Sequence, residues 1–118
     1  MFSLIVLRAT QPQALSSLYA TFGCDFVRER HGSGPVHFAC ERGGAVLEIY
    51  PRSPDQPATS AVRLGFVVDD LDRIGREIAS HDVTVLSGPK LTARGRHLLV
   101  RDCEGHTIEL TERELQAA

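Results

Sequence analysis

Two glutamates occur in the same short context. Gly44-Ala-Val-Leu-Glu48-Ile and Gly105-His-Thr-Ile-Glu109-Leu both read Gly-x-x-aliphatic-Glu-aliphatic, and the glutamates lie 61 residues apart in a chain of 118. A carboxylate on a strand just past a tight turn can ligate a metal, move a proton or pair with a cation. Strand alternation gives Glu48 the face of Val46 and Tyr50, and Glu109 the face of Thr107 and Thr111. Leu47, Ile49, Ile108 and Leu110 fall on the opposite faces. Matching carboxylates half a chain apart raise the question of whether the whole chain is a tandem duplication.

The elements around them answer to that pattern. Phe2 to Ala9 is a short aliphatic strand, and Thr10 with Gln13 has the form of a capping box opening a helix, with Pro12 in its first turn. Leu15, Leu18, Tyr19 and Phe22 make the apolar stripe of that helix, and Gly23 ends it. Strands are predicted at 24–30, at 35–42 after the turn His31-Gly-Ser-Gly34, and at 45–50 after Gly43-Gly44. In the second half a strand at 62–68 precedes Asp69 and Asp70, N-caps for a helix carrying Leu71, Ile74 and Ile78, where Gly75 suggests close packing. Strands at 83–86, 97–101 and 107–111 complete it, with Ser87 to Pro89 and Lys90 to Arg96 as loops.

Each half therefore reads β-α-β-β-β. Leu4 pairs with Arg63 at an offset of 59 and the glutamates at 61, so two extra residues are expected in the hairpins of the second half. The expected organisation is one domain over 1–118: a first module at 2–50, a Pro-rich linker at 51–61, a second module at 62–111 and a tail at 112–118.

Composition excludes several function classes. A net charge of −2 supplies no basic field for nucleic acid, and no apolar run reaches the ~20 residues of a membrane span. Met1 to Leu7 lacks a basic leader and reads as the first strand of a cytoplasmic protein. Cys24, Cys40 and Cys103 are odd in number with no C-x-x-C pair, which points to reduced, packed thiols.

On the first strand of each half, Ile5 and Leu7, and likewise Leu64, Phe66 and Val68, are expected to face the helix. Leu4, Val6, Arg63 and Gly65 then take the other side. If the sheets curl toward each other, Leu4, Glu48, Arg63 and Glu109 converge on one concave surface.

Taken in order, Leu7-Arg8-Ala-Thr10 with Ala14 to Tyr19 and Phe22-Gly23, then Gly44 to Glu48, Phe66 to Leu71, and Asp102-Cys-Glu-Gly105-His-Thr-Ile-Glu109-Leu resemble the vicinal oxygen chelate superfamily. That superfamily includes glyoxalase I, bleomycin resistance proteins, fosfomycin resistance proteins and extradiol dioxygenases. The resemblance spans essentially the whole chain and departs from the usual last motif at Cys103, where a proline is common. It implies an α+β fold in which paired βαβββ modules form a cup-shaped, incomplete barrel, within a homodimer. In metal-dependent members four ligands, commonly His, Glu, His and Glu, sit on the first and fourth strands of each module. Those positions are Leu4, Glu48, Arg63 and Glu109 here, and only the glutamates match. Leucine has no lone pair and arginine stays protonated, so the standard divalent-metal site is expected to be lost and no cofactor is expected.

Three arrangements follow for the glutamates: ion pairs with Arg63, an Arg63 that replaces the cation toward an oxygen-rich ligand while a glutamate handles a proton, or a metal held by both with help from His37, His97 or a neighbouring chain. Tyr50, His37, His97 and Leu4 are further ligand-binding candidates, and Glu48, Glu109 and Arg63 are the catalytic ones. His31, His81 and His106 fall in turns or near a helix end, where capping or exposure is expected, and Cys103 has no base beside it. The Arg94-Gly-Arg96 loop is a candidate to close over an anion. The favoured function is a small-molecule cup that binds or sequesters a ligand. A metal-dependent lyase or dioxygenase of the glyoxalase type and a non-catalytic interaction module are the alternatives.

Overall fold

The computed structural model describes residues 1–114; the part of the expected tail at 115–118 lies outside the described residues. The chain divides into two compact units, the first Met1–Ser60 and the second beginning at Ala61.

In the first unit β1 (Leu4–Ala9) leads through α1 (Pro12–Ala20) to β2 (Val27–Glu29), β3 (His37–Arg42) and β4 (Ala45–Pro51). The sheet order is β1-β4-β3-β2, with β1 parallel to β4 and the other pairs antiparallel. Leu15, Leu18 and Tyr19 of α1 are buried against the sheet side that carries Leu7, Ala9, Cys40 and Ile49. The expected capping box does not form. Pro12 occupies the first helical turn, which makes Gln11 the N-cap with no side-chain cap bond, while the Thr10 hydroxyl accepts from Arg52 Nε. The Pro-rich stretch packs on its own unit: Arg52 donates its N–H to the Ala9 carbonyl and Thr59 to that of Arg8.

The second unit repeats the plan with β5 (Arg63–Val68), α2 (Leu71–Glu77) followed by a 3-10 turn (Ile78–Ser80), β6 (Thr84–Thr92), β7 (Gly95–Arg101) and β8 (Thr107–Glu112). Its order, β5-β8-β7-β6, matches the first. Asp70 caps α2 as expected, accepting from Arg73 N at 3.0 Å, and Glu112 accepts from Leu71 N at 2.9 Å. Leu71, Ile74, Ile78, Leu98, Val100, Ile108 and Leu110 form the core. Gly75 does not mark close packing, since a Cβ there would meet nothing within 4 Å.

The first expected loop is strand, and so is the second except for the turn at Ala93 and Arg94. β6 runs through Ser87 to Pro89 and on to Thr92, taking up the irregular residues as register shifts against β7 at an exposed edge. Gly88 is required there: its φ is 92°, and an added Cβ would press on the His97 carbonyl oxygen. Of the two extra residues in the repeat, one enters the β7–β8 connection and the other lies between β5 and β7. No helix among the described residues is long and apolar enough to cross a membrane.

Candidate functional site

In the first sheet, register decides which side chains meet. On the face away from α1, Leu4, Val6 and Arg8 of β1 stand beside Val46, Glu48 and Tyr50 of β4. Glu48 is flanked by Val6 and Ala39, and Tyr50 by Arg8. The Arg8 guanidinium accordingly sits over the Tyr50 ring, 4.7 Å from its centroid, and donates to the Pro51 carbonyl at 3.4 Å. His37 stacks on Tyr50 at 4.1 Å between centroids and 7° between planes, and its Nε2 lies 3.3 Å from the Tyr50 hydroxyl. His37 is 1% exposed; its Nδ1 faces the Pro35 carbonyl at 3.2 Å, and its Nε2 lies 3.7 Å from Glu48 Oε2. Burial first, then the Glu48 carboxylate, raises the Tyr50 phenol above its ordinary value.

On the other side of His37, the β2–β3 register places Glu29 opposite it, and the connecting turn returns His31 to within 5.0 Å of the His37 ring. His31 Nε2 is 3.4 Å from Glu29 Oε2. Asp25, Val27, Glu29, Ala39, Glu41, Val46 and Glu48 line an open concavity of about 390 Å³ on this face.

The second sheet carries the corresponding arrangement. Arg63 donates Nε to Glu109 Oε2 at 3.3 Å and places Nη2 3.1 Å from Oε1. Gly65, the register partner of Glu109, puts no side chain between them. The Arg63 hydrogen bond is the main reason the Glu109 carboxyl lies below its ordinary value, with His97 and Arg94 adding to the effect and burial opposing it. His97 Nε2 is 3.7 Å from Glu109 Oε1, the same spacing as His37 to Glu48. Each module thus holds one histidine diagonal to its repeated glutamate, a second level of duplication that the unequal offsets conceal.

Sequence-predicted residues therefore sort into two groups. His37, Glu48 and Tyr50 meet on the first sheet, and Arg63, His97 and Glu109 on the second. Arg63 pairs with Glu109 as expected of that carboxylate, while Glu48 has His37 as its neighbour inside its own unit. Leu4 is half-exposed at the start of β1. Arg96 belongs to β7 rather than a loop, and is held by Asp72 at 2.8 Å and Glu112 at 3.6 Å; Arg94 stands in the turn before it. His106, expected in an exposed or capping role, is buried and contacts Asp102 at 2.9 Å. Burial and then Glu104, Asp102 and Asp82 push the Cys103 thiol up, which disfavours the thiolate that a nucleophile needs.

Glu29 and Arg8 were not singled out from sequence, and His31 was read only as a capping or exposed turn residue. Arg8 is the next member of the Leu4 and Val6 face, two residues past Val6, and Glu29 with His31 acquire meaning only through the β2–β3 register. The four positions that the resemblance would assign to metal ligands do not fit a His, Glu, His, Glu set. Leu4 offers no donor atom, and the Arg63 guanidinium, permanently charged, grips one of the two carboxylates.

No curated protein matches the sequence. Among solved structures, a glyoxalase/bleomycin resistance protein from Albidiferax ferrireducens T118 is similar with a TM-score of 0.75 at 18% identity, over 97% of this chain and 99% of that one. TnmS3, an antibiotic binding protein from Streptomyces sp. CB03234, gives 0.70 at 23% identity over 97% and 96%. TioX from Micromonospora sp. ML1 gives 0.70 at 21% over 97% and 99%. These structures share the fold, and residues 2–110 match the Glyoxalase/Bleomycin resistance protein/Dioxygenase superfamily, to which this chain belongs.

Proposed function

We propose that the protein binds or sequesters a small molecule with no divalent metal at Leu4, Glu48, Arg63 and Glu109. The observation that carries this reading is the Arg63–Glu109 pair. It fills one of the implied ligand positions with a cation and engages the carboxylate that a metal would need. The lining of the concavity on the first sheet supports a ligand class. Asp25, Glu29, Glu41 and Glu48 supply negative charge and Val27, Ala39 and Val46 an apolar surface, a combination suited to a cationic ligand with an apolar portion. Binding of an antibiotic by TnmS3, a structure of the same fold, agrees with this class of activity. The protein is further proposed to act in the cytoplasm as a homodimer, with the exposed apolar residues Phe2 and Leu4 offering surface for a second copy to cover.

The test is calorimetric titration of the purified protein with cationic amphiphilic antibiotics, bleomycin among them, and with anionic counterparts, each with and without EDTA. Saturable binding of a cationic compound that EDTA leaves unchanged and Glu48→Gln weakens about tenfold is expected. Binding abolished both by EDTA and by Glu109→Gln would overturn the reading that no metal sits at those four positions. Absence of saturable binding to every compound would overturn ligand binding itself. Light scattering of the same preparation reads the dimer.

A further inference from the structure

We propose that Glu29, His31 and His37 form a binding site for a divalent transition-metal ion, separate from the four positions considered above. One carboxylate oxygen of Glu29 and one ring nitrogen from each histidine lie within 4.8 Å of one another. Ligand atoms bonded at about 2.1 Å to one tetrahedral zinc ion lie about 3.4 Å apart, so binding draws the three together by up to about 1.4 Å. The mobile partner in that closure is His31. Its side chain is 70% exposed, on a turn whose Gly32 has a φ of 58°.

The other two ligands are already held. Glu29 and His37 are register partners across the β2–β3 pair, which fixes their backbones. His37 is clamped by its stack on Tyr50 and by its Nδ1 against the Pro35 carbonyl, at 3.2 Å. With Nδ1–H donated to that carbonyl, the second-sphere arrangement common to metal-binding histidines, Nε2 carries the lone pair, and a metal would take the place of the Tyr50 hydroxyl that now lies 3.3 Å from it. The surrounding charge favours a cation: Glu48 lies 3.7 Å from His37 Nε2, and Asp25 and Glu41 line the same concavity as Glu29. Two imidazoles and one carboxylate select Zn²⁺, Ni²⁺, Co²⁺, Cu²⁺ or Fe²⁺ over Mg²⁺ and Ca²⁺, and three protein ligands leave a coordination position open.

Titrating Zn²⁺ alone into chelator-treated full-length protein by calorimetry tests the site, with Co²⁺ absorption reporting coordination. One ion per chain at micromolar affinity is expected. His31→Ala should weaken it by about a hundredfold or more, and Glu29→Gln by about tenfold or more, with the circular dichroism and melting of the metal-free protein unchanged. Glu109→Gln, in the other unit, should leave Zn²⁺ affinity and stoichiometry as they are. Affinity no tighter than millimolar, or wild-type affinity in His31→Ala, would overturn the proposal. So would loss of binding on Glu109→Gln, which would return the metal to the positions shared with metal-dependent relatives.

Discussion

Arg63 holds Glu109 by two contacts, Nε to Oε2 at 3.3 Å and Nη2 to Oε1 at 3.1 Å, joining the first and last strands of the second unit through their side chains as well as their backbones. The carboxyl is depressed below its ordinary value chiefly by this bond. A depressed carboxyl stabilises the fold above its unfolded value, and that contribution fades as pH falls through the folded one. Arg63→Met should therefore raise the Glu109 midpoint in a carbon-detected NMR titration and flatten the acid limb of the stability profile. The effect on stability at neutral pH should stay within about 0–1 kcal/mol, because Arg63 is more than half exposed and solvent screens the pair. An unchanged Glu109 midpoint in Arg63→Met would contradict the pairing.

On the polar face of the first sheet the His37 ring stacks on that of Tyr50. Tyr50→Phe keeps the ring and loses only the hydroxyl contact to His37 Nε2, whereas Tyr50→Leu loses the stack and the Arg8 contact together. Urea denaturation should place Tyr50→Leu about 1–2 kcal/mol below the parent and Tyr50→Phe within about 0.5 kcal/mol. Equal losses in the two variants would assign the stabilisation to the hydroxyl instead.

The periodic parts of the chain were legible before the structure. Leu15, Leu18 and Tyr19 lie buried on α1 as their spacing required, Asp70 caps α2, and both glutamates keep the face that strand parity gave them. What failed were readings based on breaker residues. Ser87-Gly88-Pro89 looks like a loop, yet an edge strand tolerates a missing donor and a bulge, so β6 continues through it. Thr10 looks like a cap, yet Pro12 in the first turn moves that role to Gln11. The Glu29, His31 and His37 group escaped because pairing across the connection at residues 30–36 depends on how that loop closes, which no periodicity encodes.

Cys24 and Cys40 are both buried, and burial, followed by the neighbouring Cys40, pushes the Cys24 thiol up to about 12. A thiol whose folded value is raised is at no disadvantage below its unfolded value of 9.0, and the fold loses stability as pH climbs from there toward 12. Cys24→Ser should shift this alkaline loss upward, seen as a smaller drop in melting temperature above pH 9.0. Under native conditions an aromatic disulfide reagent should modify the half-exposed Cys103 before Cys24 or Cys40. Faster labelling of Cys24 would mean that the pair is reached by solvent.

The turn before β8 depends on one carboxylate. Asp102 Oδ1 accepts from Glu104 N at 2.9 Å and His106 N at 3.0 Å, and His106 Nδ1 lies 2.9 Å from Oδ2, with both side chains wholly buried. Gly105 completes the turn at a φ of 98°, donating to the Asp102 carbonyl at 3.1 Å. Asp102→Ala removes the acceptor for all three donors and strands the two from His106 away from water, so it should cost about 3 kcal/mol or more in urea denaturation. Asp102→Asn retains one acceptor oxygen and should cost less. Because this turn delivers β8, and with it Glu109, to β5, the folded fraction of Asp102→Ala should also show a Glu109 midpoint closer to its ordinary value as the Arg63 contact loosens. A loss below about 1 kcal/mol for Asp102→Ala, or a Glu109 midpoint identical to the parent's, would separate the turn from the positioning of the carboxylate.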